Sequence, residues 1–149
     1  STTPTFSTGG VTATGCIISC VRANGVTDPT SFTNSLKQTV ATNTGSTANP
    51  SIVFSTSTAT ANGILLFAAN GTNSSTQWTP PTSFTEISEV SYNTPANSGE
   101  TAYVSSGVGG STFLWTNANT TPWATVGIEL IVSPFTPVDP MGMMGFFGI

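Results

Sequence analysis

Apolar residues recur in short runs along this chain, at 16–22, 36–42, 52–57, 64–69, 84–92, 101–105, 112–116 and 124–132. The runs are rich in β-branched and aromatic residues and are separated by clusters of Gly, Asn, Pro and Ser, a combination that predicts strands bounded by turns. The last run is the most regular. Ala124, Val126, Ile128, Leu130 and Val132 alternate with Thr125, Gly127 and Glu129, so period two predicts the first set buried and the second facing solvent. Residues 64–67 are apolar at every position and predict a central strand covered on both faces. A helical spacing is held nowhere over three turns, and Thr stands where a helix would need Ala, Leu, Glu or Lys.

Eight or nine short strands predict an all-β fold, a two-sheet antiparallel sandwich of jelly-roll or immunoglobulin-like kind over residues 1–133. Residues 2–8 add an edge strand or an N-terminal arm. Residues 134–149 then form an extended C-terminal arm. Its first half carries Pro134, Pro137 and Pro140, which keep the backbone extended. Its second half carries Met141, Met143, Met144, Phe146, Phe147 and Ile149, and burying each would stabilise by roughly 1.5–3 kcal/mol. These six residues are the candidate assembly interface; the alternative is an arm that folds back on its own domain.

The chain also echoes itself. Pro29-Thr-Ser-Phe-Thr33 recurs as Pro81-Thr-Ser-Phe-Thr85, and each copy follows a Gly, an apolar run and an Ala-Asn-Gly turn. A half-domain duplication or a chance match in a Thr- and Ser-rich chain accounts for this equally well.

Composition narrows the function. With 149 residues the chain is long enough for a core of its own. Only 5% of residues are charged, against about a quarter in ordinary domains, so hydroxyls and amides carry solubility. Arg22 and Lys37 are the only basic side chains, too few to meet phosphates, and no nucleic-acid partner is expected. No apolar run approaches the ~18 residues of a membrane span. Cys16 and Cys20, four apart in a predicted strand, would stand about 13 Å apart, too far for a disulfide. They read as free, buried, small apolar residues, which favours folding in a reducing compartment. No signal sequence is visible, and Ser1 fits either loss of an initiator Met or signal-peptide cleavage.

Chemistry-bearing residues are sparse. There is no histidine, which removes the commonest general base and metal ligand. The carboxylates are Asp28, Glu86, Glu89, Glu100, Glu129 and Asp139. Glu86 and Glu89 are an odd number apart on a predicted strand and so point to opposite faces. A glycosidase pair of Glu89 and Glu129 is conceivable, but both read as single solvated charges. No calcium loop, phosphate-cradling loop or zinc spacing occurs; Gly107-Val-Gly-Gly110 reads as a hairpin turn. No catalytic residue, cofactor or metal ligand is therefore expected. Phe113, Trp115 and Trp123 read as core, whereas Trp78, beside Pro80 and Pro81, is a candidate glycan contact on a loop.

Three stretches carry a resemblance: Ala59-Thr-Ala-Asn-Gly-Ile-Leu-Leu-Phe-Ala-Ala69, Pro80-Pro-Thr-Ser-Phe-Thr-Glu-Ile87 and Thr121-Pro-Trp-Ala-Thr-Val-Gly-Ile-Glu-Leu130. Together they resemble a β-sandwich module of tailed-phage structural proteins, in which a Gly precedes a central strand, a Pro-Pro turn leads into the next and Trp-Ala opens the closing strand. The chain departs from that pattern at Ser83-Phe84, where the modules carry Gly-Trp. The resemblance implies a virion protein, a capsid decoration or tail component, whose partners are copies of itself and a capsid or tail scaffold protein. The competing expectations are an extracellular subunit of a cell-surface filament or adhesin, and a carbohydrate-binding module centred on Trp78.

Overall fold

The computed structural model describes residues 17–28, 30–71, 78–94, 96–117 and 120–132. A single helical turn, α1 (Phe32–Ser35), precedes seven strands: β1 (Ala41–Gly45), β2 (Ser51–Thr58), β3 (Gly63–Asn70), β4 (Thr85–Asn93), β5 (Ala96–Val104), β6 (Gly110–Leu114) and β7 (Trp123–Leu130). They form a five-stranded sheet in the order β1-β7-β3-β5-β4 and a two-stranded sheet, β2-β6. Every pairing is antiparallel. The all-β, two-sheet expectation therefore holds for the described residues. The proposed C-terminal arm, and with it all six candidate interface residues, lies outside them.

The small sheet covers one face of the large one. Ile52 and Phe54 of β2, Phe113 of β6 and Trp115 just beyond it are buried against Ile64, Leu66 and Ala68 of β3 and Ala102 of β5. Phe113 sits edge-on to both Phe54 and Phe84, with ring centroids 5.9 and 5.3 Å away. β3 is the central strand its composition predicts. It pairs with β7 along its whole length and with β5 over residues 64–70.

β7 turns the opposite way from its predicted orientation. Trp123, Thr125, Gly127 and Glu129 are the buried set, and Val126, Ile128 and Leu130 are only half-buried on the far face. Close approach decides this. A Cβ at Gly127 would lie 2.7 Å from Ile52 Cγ1 and 2.8 Å from Phe54 Cζ, so β2 rests directly on the glycine backbone. Thr125 satisfies its hydroxyl by donating to the Ser51 carbonyl of β2 at 2.8 Å, and Trp123 Nε1 donates to the Thr47 carbonyl at 3.1 Å. Hydrophobicity alone could not show that the polar half of the alternation carries the contacts.

The run at 16–22 is not a strand. Its described part, with residues 23–24, is irregular and lies over the far face of the large sheet, with Ile18 and Val21 exposed. Cys20 is a free, exposed thiol rather than a buried one; Cys16 lies outside the described residues. The two halves of the internal echo also differ. The first Pro-Thr-Ser-Phe copy opens α1, where Ser31 caps the turn by accepting from Asn34 N. The second makes a tight turn, with Phe84 N donating to the Pro81 carbonyl at 3.0 Å, and leads into β4. Identical local sequence takes two conformations, so tertiary context sets each one.

Candidate functional site

Registers place the inward residues of the large sheet in cross-strand rows. Thr125, Ala68, Glu100 and Glu89 form one row, and Gly127, Leu66, Ala102 and Glu86 the next. Glu86 and Glu89 therefore share a face, contrary to their odd spacing. A bulge between Glu86 and Ser88 adds one residue to β4 and reverses the alternation. The sequence carries no local mark of that bulge.

Glu100 is the most constrained of the three. It is fully buried, and among the described residues neither carboxylate oxygen meets a well-aligned hydrogen-bond donor. Burial, then the charges of Glu86 and Glu89, push its pKa up to about 7; the nearby Trp115 side chain opposes the rise without cancelling it. Glu129, buried on the same face, behaves oppositely. Burial works to raise its pKa, but Ala59 N at 2.8 Å, Asn62 Nδ2 at 2.7 Å, Gln38 Nε2 and the charge of Lys37 together bring it below the ordinary value. The expectation that Glu129 is a solvated charge fails because its carboxylate is enclosed by the 59–62 turn and Gln38.

Glu89 and Glu129 do not compose a hydrolytic pair. They are separated by three strand spacings and four residues of register, about 19 Å from ideal sheet dimensions. Glycosidic acid and base groups stand about 5–9.5 Å apart. Among the described residues no group of three or more His, Cys, Asp or Glu side chains is placed to hold a metal ion. No helix among them is long and apolar enough to cross a membrane. Asp28 is held by the turn before α1, where hydrogen bonds from the Thr30 and Asn34 side chains and from the Thr30 and Ser31 amides lower its pKa to about 2.

Trp78 is not a surface platform. It is 2% exposed within the core cluster. Its Nε1 donates to Ser98 Oγ at 3.1 Å, and Ser98 in turn donates to Asn70 Oδ1 at 2.7 Å. A ring held in that chain has no face free for a pyranose. Its neighbourhood to Pro80 and Pro81 suggested a loop, but Thr79 bridges to Thr116 and draws the indole inward.

The exposed apolar area is instead the far face of the large sheet. Leu65 and Phe67 of β3 and Val126, Ile128 and Leu130 of β7 are half-buried there, and Ile87, Val90, Tyr92 and Tyr103 are exposed. Residues 17–26 form a thin strap over this face. Thr101 Oγ1 donates to Ser19 Oγ at 2.6 Å, and Val26 pairs with Val132. On either side of the strap lie cavities of about 480 Å³, walled by Val21, Leu65, Ile87, Tyr103, Leu130 and Val132, and about 440 Å³, walled by Ile18, Leu65, Phe67, Val126 and Ile128 among others. The apolar alternation of β7 pointed to this stripe, although it was assigned to the core.

No protein-family model, curated protein or solved structure matches this chain. The likeness to tailed-phage modules rests on the residues quoted for it. Ser83 has φ 74°, the left-handed region that glycine favours, and Phe84 is a buried core residue.

Proposed function

We propose that this protein is a non-catalytic structural subunit that works by assembly, of the capsid-decoration or tail type, and that residues 134–149 are its assembly arm. The observation that carries the reading is the apolar far face of the large sheet. It spans four of the five strands, and among the described residues it is covered only by 17–26. Contiguous exposed apolar surface of this kind marks interaction sites. Glu89 and Glu129, the pair that a hydrolase reading of the sequence would use, stand too far apart to act together.

Light scattering on the full chain tests the reading. The wild type is expected to form a defined oligomer, and the pair of substitutions Phe146→Ser and Phe147→Ser is expected to shift it to monomer with an unchanged circular dichroism spectrum. A wild-type monomer at high concentration would defeat it. A filament subunit is the second reading, favoured by one feature: β4 is nine residues long and among the described residues pairs on one side only, an edge suited to strand addition. Electron microscopy separates the two, since that mode gives open-ended fibres.

A further inference from the structure

Resting on the assembly reading, we propose that the apolar C-terminal segment 141–149 of one copy docks into the groove beside the 17–26 strap of a second copy. The groove is the cavity of about 480 Å³ whose walls include Val21, Leu65, Ile87, Tyr103 and Leu130. That volume lies in the range of roughly 300–1,000 Å³ that holds compact apolar ligands. Among its described lining residues Arg22 alone is charged.

The occupant follows from what the chain carries. Beyond Val132 the sequence continues for 17 residues, and 141–149 consist only of Met, Gly, Phe and Ile. Asp139 is the one charged residue after Glu129, and it stands just ahead of the apolar segment, complementary to Arg22. The same chain thus supplies both halves of an apolar contact flanked by one charge of each sign.

A second copy, not the same one, is the host for two reasons. Val132 is itself a wall of the groove and pairs with Val26, so a segment entering the groove of its own copy would have to turn back between Val132 and Met141. The stretch 133–140 holds three prolines, each fixing φ near −65° and biasing the residue before it toward extended backbone. Prolines favour an extended path of about 3.1 Å per residue, which would give residues 134–140 a reach of roughly 20 Å, enough to meet a neighbour.

Isotope-mixed photo-crosslinking tests this on the full chain. Position 146 is replaced by p-benzoylphenylalanine, and light and heavy-nitrogen chains are assembled together and irradiated. The expected products join a light to a heavy chain through peptides that carry Val21, Ile87 or Tyr103. Groove crosslinks confined within single chains would overturn the proposal in favour of a folded-back arm. Crosslinks between chains at other surfaces would overturn the groove while leaving assembly through the arm intact. A monomer without crosslinks between chains would defeat both.

A second variant guards against a label that perturbs the arm. Ile87→Lys changes a side chain that is already 42% exposed, and the fold is expected to keep its melting behaviour. The dissociation constant of the oligomer should rise at least about tenfold. An unchanged constant would overturn the groove assignment.

Discussion

The two faces of the five-stranded sheet divide their residues against expectation. The inner face, sealed by β2 and β6, includes Asn70, Ser98, Glu100, Thr125 and Glu129, all nearly inaccessible. The outer face, only half-covered, carries Leu65, Phe67, Val126, Ile128 and Leu130. Burial in this molecule thus follows shape and hydrogen-bond geometry as much as hydropathy. The inner polar groups tolerate it because most are paired, as in the Trp78–Ser98–Asn70 chain and the donors around Glu129. Glu100 is the exception, since neither oxygen meets a well-aligned donor among the described residues. The outer face shows the converse, apolar surface with little to cover it.

Adjacent leucines on β3 give the sharpest test. Leu66→Ala, at a fully buried inner position, is expected to lower stability by about 2–5 kcal/mol in chemical denaturation. Leu65→Ala on the outer face should cost roughly half of that or less, because part of the side chain is already in water. Equal losses would mean that the outer face is as well packed as the inner.

The buried glutamates should give opposite pH dependences. The pKa of Glu100 is raised in the fold from 4.5 to about 7, so folding favours its neutral form. The stability it allows is full below pH 4.5 and is lost as pH rises toward 7, by up to about 3 kcal/mol. Glu100→Gln should abolish that decline and raise the melting temperature at pH 8. A pH profile unaltered by the substitution would remove Glu100 as its cause.

Gly127→Ala is expected to cost about 1–3 kcal/mol through overpacking, since the new methyl would meet Ile52 and Phe54. A neutral effect would contradict the inward orientation of that half of β7. Glu129 has a pKa below its ordinary 4.5, so its contribution is present above pH 4.5 and lost as pH falls through the lower folded value. Glu129→Gln should cost about 1 kcal/mol at neutral pH and flatten the acid limb of the stability profile. Smallest of all, Ile87→Lys on the outer face should change folding stability by less than about 0.5 kcal/mol. A larger loss would show that the strap and sheet pack there as a second core.

The strands at 52–57, 64–69 and 84–92 were legible because β-branched and aromatic runs bounded by turn residues have few other uses. Phe113, Trp115 and Trp123 were rightly read as core. The segment at 16–22 was misread because its apolar residues serve as a cover and not as a paired strand. Trp78 was misread because its burial depends on a bridge between Thr79 and Thr116, 37 residues apart. The shared face of Glu86 and Glu89 depends on a bulge that only pairing with β5 reveals.

By itself, then, the sequence determined that this chain folds as strands, that β3 lies at the centre, and that the acids and aromatics available for chemistry are few. Periodicity and turn residues act over a handful of neighbours, and each is readable along the chain. Tertiary structure decided which side of each strand faces β2 and β6, because a side chain's environment is set by the strand packed against it. Gly127 illustrates the difference: its lack of a side chain reads as weakness in an isolated strand, and becomes the point of closest contact once β2 lies across it.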